Sequence, residues 1–342
     1  MEMESSPPGS QLKPVDEEAQ RRAGTNKGGW ITLPFIAGNM LFLGLAINGT
    51  TSNLLVYLLK QYNVESIDAA QIANIVRGSL NLVPVAGAVV SDSYFGCFPV
   101  VLAGTAVTVL ISEPRRHDND KRRHANGYII SVSIGVMIGM VILEALAMDR
   151  SLGPHFNIPA GSITISSTVT FIAATPVLER AVFPLWRRVT GSLPTPLQRV
   201  GLGHVVNIAG IVAAALVERQ RLGLVRAHHG ADQGPGWVTP MSVLWLLIPL
   251  GIVGVGEALH FPGNMAFYYQ EFPKTLRSTA TAMAPLLIAM GFYLSTVFVD
   301  VVRRVTAWLP GNINQGRLDN VYWATVNFGY FLVCVSLYKS RK

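Results

Sequence analysis

Charge is what this sequence has least of. Only 14% of its 342 residues are Asp, Glu, Lys or Arg, against about 25% in an ordinary soluble domain. Cysteine is nearly absent. Cys97 and Cys334 lie in or beside apolar runs, which excludes a disulfide framework and metal-ligand spacing. No nucleophile–base pair and no cluster of metal ligands stands out, so the residues offer no enzyme chemistry, no metal site and no cofactor site. Residues 1–29 are polar and lack the apolar core and cleavage site of a signal peptide. The net charge of +7 does not mark a nucleic-acid-binding protein, because Lys and Arg sit between apolar runs. Membrane loops distribute charge in that way.

What the chain has is apolar length. Half of it is hydrophobic and the mean hydropathy is +0.38. Uncharged runs of 18 or more residues read as membrane-spanning helices. The spacing predicts spans over 30–59, 69–90, 128–148, 160–178, 200–217, 241–260, 280–302 and 320–338. The tail 1–29 reads as disordered, and Arg21, Arg22 and Lys27 before the first run place that end in the cytoplasm. Residues 179–199 and 218–240 read as loops. Adjacent His228 and His229 in the second are weak metal evidence and read as surface residues. Ser91 to Gly96 reads as a tight turn.

The run 97–112 is different. At 16 residues it reaches roughly 24 Å, short of the ~30 Å hydrocarbon core. The loop 113–127 follows, with five basic residues, Arg115, Arg116, Lys121, Arg122 and Arg123. If 97–112 crossed, that loop would lie outside, against the positive-inside rule. The expectation is therefore about eight full spans and one partial segment rather than nine, the alternative being an inverted C-terminal half.

Several blocks together identify a family. They are GGWITLPFIAGN (28–39), SNLLVYLLKQYNV (52–64), AAQIANIV (69–76), SDSYFG (91–96), MDRSLGPHFNIPAGS (148–162), TPLQRVGLGH (195–204), MSVLWLLIPL (241–250), and GEALHFPGN with YQEFPKTLRSTAT (256–281). The chain resembles the plant nitrate/peptide transporter family, in the proton-dependent oligopeptide transporter branch of the major facilitator superfamily. It is most similar to the nitrate excretion transporter subgroup. The resemblance implies an all-α membrane protein and a partial bundle. The family has twelve spans in two halves. Here similarity to the first half stops near Val109 and resumes near Tyr128, in the family's seventh helix. The third helix is cut short, helices four to six and the central linker are missing, and the last helix is a few residues short. The expected organisation is a tail (1–29), a partial N-terminal bundle (30–112), a basic loop (113–127) and a C-terminal six-helix bundle (128–342).

The resemblance also implies a function: secondary transport of nitrate or a related small anion, with proton coupling, through a multi-pass protein of the plasma or vacuolar membrane. The alternative is a truncated, transport-inactive family member, either a modulator that associates with full-length relatives or a non-functional product. The expected partners are thus the lipid bilayer, a small anion such as nitrate, and protons. The family's proton-coupling motif on the first helix, Glu-x-x-Glu-Arg/Lys, falls on Met40, Leu43 and Gly44, which carry no carboxylate. Glu257 matches the family's functional glutamate on the tenth helix. A carboxylate at that depth is expensive and reads as functional, or as a structural group bonded between helices. Arg77 reads as an anion contact, since a guanidinium matches a planar oxyanion, or as an interhelical pairing. The family's nitrate-binding histidine falls near Ile134. Asn39, Asn53 and Tyr57 are cavity-lining candidates. His260 reads as a packed histidine or a ligand. Asp92 and Gly96 match a conformational loop. Cysteine labelling in 113–127 tests the topology: modification from the cytoplasmic side is expected, and modification only from outside overturns it.

Overall fold

Five of the apolar runs become helices long enough to cross a membrane, in a computed structural model that describes residues 49–95, 125–229, 232, 236–273 and 276–327. Two units divide the chain, Met1–Leu43 and Gly44–Lys342, and every described residue belongs to the second. In chain order the helices are α1 (49–61), α2 (Ser66–Val90), α3 (Ala125–Leu146), α4 (Ile165–Val177), α5 (Phe183–Thr190), α6 (Pro196–Ala227), α7 (Leu247–Glu271), α8 (Arg277–Val305) and α9 (318–327). The chain is an all-α membrane protein. Its strands β1 (Met148–Asp149) and β2 (Thr239–Ser242) form one short parallel pair that ties the exit of α3 to the entry of α7.

Most helices outrun the apolar stretches that predict them. α4 does not stop near Leu178. Pro176 has no N–H to donate, the ladder loosens into a π turn over Leu178–Val182, and the chain continues as α5. Gly191, at φ 79°, ends it. The loop expected over 179–199 therefore shrinks to a few residues. α6 begins at a capping box: Thr195 Oγ1 accepts from Gln198 N at 3.3 Å, and Thr195 N donates to Gln198 Oε1 at 2.9 Å. It runs to Ala227 rather than Val217, because Glu218 and Arg221 neutralise each other inside the bundle. Ser91 to Phe95 is a π-helical continuation of α2, not an isolated tight turn.

The bundle has two ends. Glu65 and Asp68, at the start of α2, pair with Arg303 near the end of α8. Asp92, just past α2, bonds to Ser278 and Thr279 at the start of α8. Thus α2 and α8 run antiparallel and are bonded at both ends. The end of α3 joins the start of α2: Leu143 and Leu146 share a cavity with Glu65 and Ser66. We call this the first end. Residues 95 and 125 then both lie at the second end. Residues 96–124 themselves lie outside the described residues, as do the tail 1–29 and the last span beyond 327.

Helix packing relies on small residues. A Cβ on Gly210 of α6 would lie 2.6 Å from Val253 Cγ2 of α7, and one on Gly203 would lie 2.8 Å from Gly256 O. Membrane helices, which gain little from burying apolar surface against one another, associate through this close approach. The main core joins Leu55, Ile67, Met137, Met140, Ile211 and Leu250. Gly210→Leu is expected to lower thermal stability, since overpacking costs about 1–3 kcal/mol. Gly223→Ala on the same helix meets nothing within 4 Å and is expected to be neutral or stabilising. Melting curves of the two variants in detergent check the contrast.

Candidate functional site

Ionised side chains inside an apolar bundle need partners there, and Arg77 shows how far the chain supplies them. It sits on α2, 5% exposed. Its Nη2 donates to Ser52 Oγ of α1 at 3.2 Å, and its Nη1 to Asn74 Oδ1 at 3.4 Å. Ser52 Oγ lies 3.0 Å from Thr164 Oγ1, in the 3-10 turn Ala160–Thr164 that precedes α4. Asn74 Nδ2 donates to Gly135 O of α3 at 3.1 Å and to Ser295 Oγ of α8 at 3.3 Å. Four helices and a turn thus meet around one guanidinium. Gly135 and Gly139 make room: a Cβ would come within 2.8 Å of Ser295 Oγ and 2.9 Å of Asn74 Nδ2, respectively. Among the described residues no carboxylate pairs with Arg77, and its Nε has no hydrogen-bond partner. This node is a buried cation surrounded by hydroxyls and amides. It offers an anion a charge and a fork of donors.

Asn53, exposed, borders the node, its Oδ1 3.1 Å from where a Cβ on Gly161 would stand. Tyr57 does not join it. It is 53% exposed and packs edge-on against Tyr62 at 5.5 Å. Glu257 lies on α7, half-buried, with no hydrogen bond or ion pair among the described residues. No bond links it to Arg77, so the two charges singled out in the sequence are not partners.

His260 is packed and hydrogen-bonded. Its ring centroid lies 4.7 Å from that of His204 on α6, and Asn264 Nδ2 approaches its Nε2 at 3.1 Å. Asn207, fully buried one turn beyond His204, has neither side-chain atom partnered among the described residues. His204, Asn207 and Asn74 escaped the sequence reading. The available signal was spacing, His204–Asn207 and Asn74–Arg77 being polar pairs three apart in otherwise apolar helices.

Asp92 accepts from Thr279 N at 2.7 Å, Thr279 Oγ1 at 2.8 Å and Ser278 N at 3.3 Å. It caps α8 from a different part of the chain. Asn39, Met40, Leu43, Gly44 and Gly96 lie outside the described residues. No group of three or more His, Cys, Asp or Glu suited to a metal ion occurs among the described residues.

With this geometry in hand, known proteins supply a comparison. A family profile described as PTR2, POT family, matches residues 127–315. Protein NRT1/PTR FAMILY 2.6 of Arabidopsis thaliana is 51% identical over 220 residues, covering 62% of this chain and 39% of that protein. Protein NRT1/PTR FAMILY 2.3 of the same plant is 45% identical over 217 residues, covering 62% of this chain and 37% of that protein. These strong matches span well under half of the relatives' length. Protein NRT1/PTR FAMILY 2.7, also of Arabidopsis thaliana, is 30% identical across 96% of this chain and 95% of its own length. That alignment runs over 538 positions, so the relative holds a long stretch with no counterpart in these 342 residues. The crystal structure of an auto-inhibited POT family peptide transporter aligns with 99% of this chain and 60% of its own, at 17% identity and a TM-score of 0.48.

Asp92→Ala is expected to remove the cap on α8 and cost about 1 kcal/mol. Asp92→Asn, which keeps an acceptor oxygen, is expected to cost less. Thermal denaturation of both variants checks the order.

Proposed function

The chain belongs to the POT family, and from that membership we propose that it is a secondary carrier for nitrate or a related small anion. The family is one of transporters, not of enzymes, and the chain is an integral multi-pass membrane protein with a partial bundle of the family's fold. The observation that carries the proposal is Arg77, a buried cation that no carboxylate neutralises among the described residues. A membrane protein that keeps such a charge can recover its cost by binding an anion. Nitrate is planar and accepts hydrogen bonds along its edges, which suits a guanidinium fork and neighbouring hydroxyls. Asn53 at the margin of the node adds an amide to its rim. Glu257 is the titratable group that links proton movement to transport, in place of the carboxylates missing at Met40, Leu43 and Gly44. The plasma membrane is the proposed location.

A second reading is favoured by a different observation. α2 and α8 are bonded at both ends, through Asp92 at one and Arg303 at the other. Alternating access opens one end while closing the other. The alignment with the 2.7 relative leaves no counterpart for a long stretch of that protein. In this reading the chain does not transport alone and acts by assembling with a full-length relative.

Nitrate flux into proteoliposomes separates the two. The carrier reading expects flux above empty vesicles. Arg77→Gln removes a charge-assisted bond worth about 2 kcal/mol and lowers apparent nitrate affinity by more than about tenfold. Glu257→Gln abolishes the response to a proton gradient. Absence of flux in the purified chain overturns the autonomous carrier. A change in a co-reconstituted relative's flux then supports the second reading.

A further inference from the structure

Glu144 is a buried carboxyl that neither reading uses. It lies near the end of α3, with α6 and α9 beside it. On α6, Arg221 is fully buried. Its Nε and Nη2 donate to the two carboxylate oxygens of Glu218 at 2.6 and 2.8 Å. Its Nη1 donates to Asn314 Oδ1 at 2.6 Å. Glu218 and Arg221 thereby satisfy each other. Glu144 faces this pair and the Tyr322 hydroxyl of α9. It is completely buried, neither of its oxygens makes a bond of good geometry among the described residues, and the Tyr322 hydroxyl beside it is placed to donate to the carboxylate. The Tyr322 hydroxyl is equally buried. Asp319 is the other charged group that α9 brings near, and it is bonded to Arg317 at 3.1 Å.

Two carboxyls and one guanidinium therefore share a dry site. Were both carboxyls ionised, one negative charge would stand there with no cation of its own and the Tyr322 hydroxyl beside it. Such a charge costs several kcal/mol even after relaxation. A neutral acid removes the charge and supplies an O–H that Tyr322 can accept, and Tyr322 in turn has an O–H to give.

We propose that Glu144 is a proton-binding site, reached from the cavity at the first end of the bundle by way of Asn314. That cavity has a volume of about 490 Å³. Leu143, next to Glu144, and Asn312 line it, as does Asn314, which also holds Arg221. A proton that enters from water meets Asn314 first and the Glu218–Arg221–Tyr322 group next. The first helix has no carboxylate at Met40, Leu43 or Gly44, so the chain places a proton-holding group in the opposite half. The proposal concerns protonation alone and stands whether or not the chain carries nitrate.

Infrared spectroscopy of the full chain in lipid nanodiscs tests it. At neutral pH a carbonyl stretch of a neutral carboxylic acid is expected in the Glu257→Gln chain, lost on the further change Glu144→Gln. Tyr322→Phe is expected to shift that band without removing it. Gly311 lines the cavity and a side chain there meets nothing within 4 Å. Gly311→Phe is expected to slow deuterium exchange of the band while leaving its position unchanged. Absence of the band in the Glu257→Gln chain at neutral pH, or its survival there after the further change Glu144→Gln, overturns the site. An unaltered exchange rate in Gly311→Phe overturns the route.

Discussion

The bundle depends on how each charge inside it is answered by a group inside it. Water cannot do so, and an isolated ion in a low-dielectric interior costs several kcal/mol. Arg221 and Glu218 answer each other completely, with two short bonds and no exposure. They let α6 carry two buried charges and remain one helix of 32 residues. Arg77 is answered only by dipoles, a serine hydroxyl and an asparagine carbonyl. Glu257 finds no bond among the described residues, and Glu144 finds no cation of its own, with only the Tyr322 hydroxyl beside it. The order is informative. A fully matched pair is a structural device. A group left incompletely matched holds interaction energy in reserve, and a ligand or a proton can use it.

That order was only partly legible in the sequence. Five of the spans were, because an apolar run between polar loops has one structural outcome in a bilayer. Their ends were not. Glu218 and Arg221 read as the start of a loop because hydropathy counts each charge alone, and three residues of helix bring them together. Arg187 and Arg188 likewise read as loop, although they end an amphipathic helix that continues from α4. Pro176 lies inside the continuing helix, where a π turn absorbs its missing donor.

The site was legible residue by residue and not as an arrangement. Arg77 and Glu257 stand out because a charge in an apolar run is costly at any register. Their company does not follow from that. Asn74, three residues before Arg77, shares its face by helical spacing. Ser52, Thr164 and Ser295 come from three other elements and only packing unites them. Tyr57, among the cavity candidates, turns to the exterior and packs edge-on against Tyr62. An amphipathic aromatic is equally at home at a membrane interface.

The contact of α2 with α8 joins these points. Its middle is held by Asn74 with Ser295 and by the Ser79 and Tyr293 hydroxyls at 2.8 Å. Its ends are held differently. Arg303, Glu65 and Asp68 are partly exposed, and exposed pairs contribute about 0–1 kcal/mol. The Asp92 cap is of similar size, about 1 kcal/mol. Neither end is strong enough to dominate the other. A helix pair with a bonded middle and two weak, matched ends is balanced about its centre, and Arg77 lies at that centre. Opening either end means releasing one of these sets of bonds, and the buried cation meets the pair at its middle, through Asn74 to Ser295.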